Sequence, residues 1–140
     1  MKKILLIGSS GFIGKKLKTK LIKNYELICP TKKHGFDITK KKELKKYFNH
    51  EIDVIINLSG QQNQNQTKMK KVIEKGNQNI LDIAKKINKK LVLIYFSTSL
   101  VYGNGKRNKK ESSKKNPLYE YEKMKYRVEK KYLKINQNYL

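Results

Sequence analysis

Apolar stretches of strand length alternate along this chain with segments in which apolar residues recur every three to four positions. The first pattern is typical of buried β-strands, and the second is typical of amphipathic helices. The predicted strands cover residues 4–7, 26–29, 36–39, 53–58 and 91–96. The predicted helices cover residues 11–23, a lysine-rich segment capped by Thr39, residues 67–88 and residues 117–135. This alternation predicts an α/β fold with a parallel sheet and crossover helices.

Three glycines stand at the junction between the first strand and the first helix. The chain reads Gly-Ser-Ser-Gly-Phe-Ile-Gly from Gly8 to Gly14. Gly8 permits a tight turn off the strand, and Gly11 lets the backbone approach a phosphate group because it has no side chain. Gly14 lets the helix pack closely against the sheet, while the helix N-terminus directs N–H groups at an anion. A strand before the glycines and a helix after them favour a dinucleotide-binding loop over an ordinary glycine-rich turn.

The order of the strands predicts where a ligand would bind. Right-handed crossovers give the order 3-2-1-4-5, with helices on both faces of a Rossmann-type parallel sheet. Ligands bind such sheets at the carboxyl ends of the strands, where the order reverses. Segments 8–14 and 57–60 both emerge there. The 140 residues are predicted to form one domain, 1–140.

Positive charge dominates the composition, with 34 basic and 11 acidic residues and a net charge of +23. Such an excess can indicate nucleic-acid or membrane binding. The basic residues are lysines except for Arg107 and Arg127, and they are spread over the whole chain, whereas base-specific recognition relies on arginine. We therefore interpret the lysines as a solvated surface and expect neither nucleic acid nor a membrane as partner. The single Cys29 predicts a reducing, cytoplasmic location.

A tyrosine and a lysine share one face of the predicted last helix. Tyr121 and Lys125 are four residues apart, so their side chains are neighbours. A free tyrosine has a pKa of about 10, and a neighbouring ammonium favours the phenolate, which brings Tyr121 into range for proton transfer. Thr98, at the end of the preceding strand, could hydrogen-bond to the same substrate oxygen.

The same spacing occurs a second time, two residues earlier. Tyr119 and Lys123 are also four apart, and lysine is frequent enough for this to arise by chance. Glu129 selects between the two pairs because it lies four residues beyond Lys125 on the same helix face. We therefore predict Tyr121, and not Tyr119, as the proton-transfer residue.

Together these motifs resemble the extended short-chain dehydrogenase/reductase superfamily, and within it the NAD-dependent epimerase/dehydratase family. The pattern Pro-x-x-x-Tyr-x-x-x-Lys-x-x-x-Glu runs from Pro117 to Glu129. The resemblance implies that Thr98, Tyr121 and Lys125 are catalytic. It implies a cofactor site made of Gly8, Ser10, Gly11, Phe12, Ile13, Gly14, Lys32, Asp37, Ile38, Leu58, Ser59, Gly60, Tyr121 and Lys125.

The resemblance leaves the cofactor open between NAD and NADP. An NAD-specific member would place an acidic residue after the second strand to bind the ribose hydroxyl, but this chain has Lys32 and Lys33 there. Cations suit the 2′-phosphate of NADP, although chance explains them almost as well in so lysine-rich a chain. His34 and His50 stand isolated, so no metal site is predicted.

The implied function is that of an oxidoreductase or epimerase acting on a nucleotide-sugar. Ser99 and Leu100 stand where dehydratases carry an acidic pair, which argues against dehydration. Family members continue past the last helix, so the chain resembles their N-terminal cofactor part without the C-terminal strands and substrate domain. A non-catalytic half-domain, a truncated gene product, a homo-oligomer and a completing second chain therefore stay open, and a basic nucleic-acid-binding protein is the least favoured alternative.

Overall fold

Four parallel strands form the centre of the protein. The computed structural model describes residues 1–48, 51–60, 65–87, 91–105 and 108–136. The strands are β1 (Lys3–Ile7), β2 (Glu26–Ile28), β3 (Val54–Asn57) and β4 (Val92–Tyr95). They pair in the order β2-β1-β3-β4, and every pairing is parallel. The predicted Rossmann-type sheet is confirmed, with its point of reversal between β1 and β3.

Helices connect and cover these strands. They are α1 (Phe12–Leu21), α2 (Lys41–Lys45), α3 (Gln66–Lys70), α4 (Asn77–Ala84) and α5 (Glu120–Asn136). A π-helical turn, Lys71–Gly76, joins α3 to α4, so the two form the long helix predicted over 67–88. Residue 88 itself lies outside the described residues. Short 3-10 turns cover Lys32–His34 and Ser99–Tyr102.

The prediction of a minimal third strand at 36–39 is wrong. Thr39 N–H donates to the Asp37 side-chain oxygen at 2.8 Å, and Lys40 N–H donates to the Asp37 carbonyl at 3.0 Å. Aspartate forms such local turns readily because its short side chain competes with the sheet for backbone N–H groups. The segment is therefore a turn, and Lys40, not Thr39, precedes the first residue of α2.

The last helix begins later than the sequence pattern predicts. α5 starts at Glu120, not at Pro117. The Glu122 carboxylate accepts hydrogen bonds from the N–H groups of Leu118 at 2.6 Å and Tyr119 at 3.1 Å. A carboxylate in the first helical turn is a favourable cap for N–H groups that have no partner within the helix.

The two faces of the sheet are covered unequally. On one face, α1 packs Leu17 and Leu21 against Ile4, Leu6 and Ile56. On the other face, the remaining helices and the sheet form the larger core. α5 packs Met124, Val128, Tyr132 and Ile135 into that core.

On the face of the sheet against which α1 packs, the side chains of β4 are exposed to solvent; we call this surface the open β4 face. Val92, Ile94 and Phe96 are 49%, 40% and 39% exposed. Segment 91–96, which the apolar pattern predicts as a strand, is therefore buried on one face and exposed on the other. Leu93 and Tyr95, which alternate with these residues, pack in the larger core on the opposite face.

Candidate active site

The glycine loop between β1 and α1 has little room for side chains. Gly8 has φ +86°, a left-handed conformation that favours glycine, and a Cβ there would lie 3.2 Å from the Leu58 carbonyl carbon. A Cβ at Gly14 would overlap the Gly8 carbonyl oxygen. Gly14 is thus required for close packing of α1 on the loop, which is the role predicted for the third glycine.

Gly11 has a different environment, which leaves space for a ligand. It has φ −75° and ψ 174°, and a Cβ there would be in ordinary contact, 3.4 Å from the Gly8 carbonyl oxygen. Gly11 precedes α1, and no side chain of the described residues caps that helix end. Ser10, Phe12 and Ile13 are exposed around it. The first N–H groups of α1 thus lie beside open space, as an anion site requires.

The segment after β2 carries the predicted adenosine-side residues. Burial raises the pKa of Asp37, but hydrogen bonds from Thr39 and the charges of Lys40 and Lys32 outweigh it and hold this pKa below its ordinary value. Asp37 is therefore ionised at neutral pH, near the exposed Lys32. Ile38 is buried with its side chain against Gly76, so only its backbone is available to a ligand.

Asn79 of α4 holds this segment in place. Its side-chain amide donates to the carbonyl oxygens of Ile38 at 3.0 Å and Thr39 at 3.2 Å. The sequence analysis did not single out Asn79, because an asparagine inside a helix carries no general signal of a tertiary contact.

The turn after β3 is shaped by Asn57. Its side-chain oxygen accepts hydrogen bonds from Ser59 N–H at 2.9 Å and from the Ser59 hydroxyl at 2.6 Å. Leu58 N–H donates to the Ile7 carbonyl at 3.0 Å, which keeps the turn against the end of β1. Leu58 and Ser59 therefore lie beside Gly8 at the start of the glycine loop, as predicted.

Lys125 is buried at the same edge of the sheet. It is 3% exposed, and its ammonium donates to the Phe96 carbonyl at 2.5 Å and lies 4.3 Å from the centre of the Tyr95 ring. A Cβ at Gly60 would lie 3.5 Å from Nζ, so the ammonium lies near the turn after β3. Burial lowers the pKa of Lys125 to about 8, against the opposing effect of the Glu129 carboxylate.

Tyr121 is half-buried one turn earlier on α5, and it packs against the same core. Burial raises its pKa above the ordinary tyrosine value, and the ammonium of Lys125 does not offset this. The expected lowering of the Tyr121 pKa is therefore not present in the unliganded protein. Thr98 lies at the start of the 3-10 turn, where its hydroxyl accepts a hydrogen bond from Leu100 N–H at 3.3 Å.

The alternative pair lies on the surface. Tyr119 is 67% exposed, and the Lys123 ammonium forms an ion pair with Glu120 at 3.5 Å. Of the two tyrosine–lysine pairs, only Tyr121 and Lys125 combine a half-buried phenol with a buried ammonium.

Several contributors to this site carried no recognisable sequence signal. The Ser97 hydroxyl donates to Glu129 at 2.6 Å, which joins the end of β4 to α5. Tyr95 stacks on Tyr132, with ring centres 4.8 Å apart and an angle of 18° between the planes. The Tyr95 hydroxyl is buried and has no hydrogen-bond partner among the described residues. In the sequence these tyrosines read as ordinary members of an apolar strand and an amphipathic helix.

The described residues contain no group of three or more histidine, cysteine, aspartate or glutamate side chains placed to hold a metal ion. His34 accepts or donates a hydrogen bond with the Thr31 hydroxyl at 3.0 Å, and His50 lies outside the described residues. Within the same part of the chain, no helix is both long and apolar enough to cross a membrane.

Two solved structures with the same fold carry the names of nucleotide-sugar enzymes. A dTDP-4-dehydrorhamnose reductase from Clostridium acetobutylicum is 26% identical, with a TM-score of 0.81 over 94% of this chain and 49% of the other. UDP-glucuronic acid 4-epimerase from Bacillus cereus, solved with NAD, is 27% identical, with a TM-score of 0.77 over 98% of this chain and 53% of the other. The present chain thus spans about half the length of each.

RMD from Pseudomonas aeruginosa, solved with NADPH, shares the fold, with a TM-score of 0.85 at 22% identity over 99% of this chain and 51% of the other. A comparison with curated proteins found no match. The sequence profile of the NAD dependent epimerase/dehydratase family matches residues 4–140. Because the match covers almost the whole chain, from the glycine loop through α5, the protein belongs to the NAD dependent epimerase/dehydratase family.

Proposed function

We propose that this chain binds NADP or NAD at the glycine loop and supplies Thr98, Tyr121 and Lys125 to hydride-transfer chemistry on a nucleotide-sugar, as an oxidoreductase or epimerase. One observation carries the proposal. The buried Lys125 ammonium lies against the turn after β3, and that turn packs against the end of β1, from which the glycine loop emerges. This common edge of the sheet supports the proposal that cofactor binding and proton transfer take place at one site.

The backbone around Gly11 fits the pyrophosphate of a dinucleotide. A larger side chain at Gly11 would fill the space beside the uncapped N-terminus of α1. The N–H groups there and the helix dipole favour a negatively charged ligand. The lysine-rich surface adds to that preference, because a net charge of +23 attracts anions from solution.

The segment after β2 supports binding of the adenosine half. The ionised Asp37 can accept hydrogen bonds from a ribose or an adenine amine. Lys32 lies in an exposed 3-10 turn and is free to approach a 2′-phosphate, which favours NADP. The relatives include one solved with NADPH and one solved with NAD.

Tyr121 and Lys125 would handle the proton. A nicotinamide cofactor, when bound, would accept or supply the hydride. Tyr121 would give a proton to, or take one from, the substrate oxygen on the reacting carbon, and Thr98 would hydrogen-bond to that oxygen. Lys125 would stabilise the phenolate of Tyr121 electrostatically, which the burial of Tyr121 makes necessary.

The nucleotide-sugar class comes from the named activities of the reductase and the epimerase above. We further propose a cytoplasmic location, which the single unpaired Cys29 supports. A second candidate is a dinucleotide-binding module that does not catalyse by itself. The open face of β4 favours it, and assays of the chain alone and with added partner chains would separate the two candidates.

The glycine loop provides the direct test of cofactor binding. Gly11→Val should weaken NADP and NAD binding at least tenfold, because the added side chain enters the space next to the α1 N-terminus while its backbone angles remain allowed. Isothermal titration calorimetry measures the affinities. Gly11→Ala is the matched control, and its cofactor affinity should fall less than that of Gly11→Val. Equal affinity of wild type and Gly11→Val would refute the assignment.

The two tyrosines provide the test of proton transfer. Tyr121→Phe should lower nucleotide-sugar turnover by at least ~100-fold, the usual scale for a lost general acid or base. Tyr119→Phe should leave turnover nearly unchanged, because that side chain is exposed to solvent. The opposite ranking in a steady-state assay would show that the Tyr119 pair is the functional one.

A further inference from the structure

A closed set of contacts surrounds the Lys125 ammonium. On one side lies the Tyr95 ring, with Nζ 4.3 Å from its centre. On another side lies Gly60, in the turn after β3. Both of these surfaces are held in place by groups that make no contact with Lys125 in the structure.

The Tyr95 ring is held by Tyr132. The two rings stack with centres 4.8 Å apart. Tyr132 lies seven residues after Lys125 on α5 and is buried. Because the Tyr95 hydroxyl has no hydrogen-bond partner among the described residues, stacking and packing alone hold this ring.

The turn after β3 is held by the same tyrosine through Asn57. The Tyr132 hydroxyl donates to the Asn77 side-chain oxygen at 3.0 Å and accepts from the Asn57 amide at 3.2 Å. The Asn57 amide also donates to the Asn77 oxygen at 2.6 Å. The other end of Asn57 accepts from Ser59, immediately before Gly60.

The three members of this network, Asn57, Asn77 and Tyr132, are all buried, so leaving a polar group of any of them unsatisfied is unfavourable. The network ties β3, α4 and α5 together in one arrangement. Asn77 is fixed in addition by its own amide, which donates to the Ile73 carbonyl in the π-helical turn at 2.7 Å.

We infer that Tyr132 is a positioning residue for Lys125. Its ring packs on Tyr95 and its hydroxyl is linked through Asn57 to the turn at Gly60, so that both surfaces beside the ammonium are supported by the same residue. The inference rests on the proposed role of Lys125 beside the cofactor, but the arrangement itself is a property of the unliganded protein and is tested there.

Few other charged or titratable groups face this ammonium. Among the described residues of α5, the charged group that acts on it is Glu129, whose carboxylate is engaged by Ser97. On β4 the group is Tyr95, whose phenol stays protonated because burial raises its pKa. Changes at Tyr132 therefore reach Lys125 through packing and solvent access and not through a lost charge.

The experiment is an NMR titration of the Lys125 side-chain amine in the unliganded full chain, with the signal assigned by its loss in Lys125→Met. In wild type we expect the titration midpoint of Lys125 to lie at a pH well below that of ordinary lysines. Tyr132→Phe keeps the ring and removes the hydroxyl, and should raise the midpoint by about 0.5 pH unit. Tyr132→Leu also removes the stacking and should raise it by 1 unit or more, because water gains access to the amine.

Tyr126→Phe and Tyr126→Leu are the matched controls, since Tyr126 lies on the same helix and its ring contacts Lys130 instead. They should leave the Lys125 midpoint unchanged. If both Tyr132 variants titrate like wild type, Tyr132 has a structural role only and the inference is overturned. Tyr132→Phe keeps the test decisive if Tyr132→Leu does not fold.

A second measurement separates this inference from the proposed function. Calorimetry should show NADPH affinity reduced about fivefold in Tyr132→Phe and unchanged in Tyr126→Phe. If wild type itself does not bind NADPH or NAD, the proposed function fails while the titration still decides the inference. If wild type binds and the Tyr132 variants bind equally well with a shifted midpoint, Tyr132 positions Lys125 without affecting the cofactor.

Discussion

A buried ammonium with one hydrogen-bond acceptor and one aromatic ring as partners is unfavourable for folding. Within the described part of the chain, Lys125 donates to the Phe96 carbonyl and lies over Tyr95, which compensates in part for lost hydration. Burial lowers its pKa to about 8 from the ordinary 10.5. This difference corresponds to roughly 3 kcal/mol of lost stability at pH 7, where the unfolded chain keeps the same charge in water.

Lys125→Met should therefore increase the free energy of unfolding at pH 7 by about 1–3 kcal/mol. Between pH 8 and 10.5 the native lysine releases its proton while the unfolded lysine retains it, so wild-type stability rises with pH. The advantage of the methionine variant should shrink over the same interval. Urea denaturation of both proteins at pH 7 and pH 10 measures this, and a less stable variant at pH 7 would contradict it.

At the scale of elements, the junction of β1 and α1 depends on two glycines in different ways. A Cβ at Gly14 would lie 2.8 Å from Ser9 Cα and overlap the Gly8 carbonyl oxygen, whereas a Cβ at Gly11 is accommodated. Gly14→Ala should cost about 1–3 kcal/mol of stability through overpacking. Gly11→Ala should change stability by no more than about 0.5 kcal/mol.

Urea denaturation of the two alanine variants tests this prediction. Gly11 is the N-cap of α1, where glycine is favoured over alanine, whereas Gly14 lies inside the helix, where alanine is favoured over glycine. A larger loss of stability in Gly14→Ala would therefore come from packing. Equal stabilities would mean that the loop moves aside at Gly14.

The sequence predicted elements best where a repeating apolar pattern is reinforced by burial. β1 and β3 are central strands with continuous apolar runs, and both lie within one residue of their predicted bounds. The strand prediction for 36–39 failed because Asp37 forms a local turn that competes with strand pairing. Tyr132 and Asn77 could not be assigned to the site, because their meeting depends on how α4 and α5 pack and not on any local pattern.

At the scale of the whole molecule, the net charge opposes self-association and the exposed apolar face of β4 favours it. Val92, Ile94 and Phe96 present an apolar surface next to the last strand of the described sheet. The net charge of +23 keeps copies apart at low ionic strength, and salt screens that repulsion. Self-association should therefore increase with salt concentration.

Sedimentation velocity across an ionic-strength series measures this association. Ile94→Thr should reduce it, because threonine keeps a β-branched side chain on the strand and makes the face more polar. Ile22→Thr, at another exposed isoleucine just after α1, should leave it unchanged. A monomer at every salt concentration would show that the β4 face does not self-associate.

The tyrosines near Lys125 also make intrinsic fluorescence a measure of ligand binding at the proposed site. The chain contains nine tyrosines and no tryptophan, so tyrosine emission is not masked by the brighter indole. Tyr95 lies beside the ammonium and stacks on Tyr132, and Tyr121 packs against the same core. A reduced nicotinamide beside Tyr121 would quench this emission by energy transfer. Occupancy of the site can thus be followed in the native chain without any label.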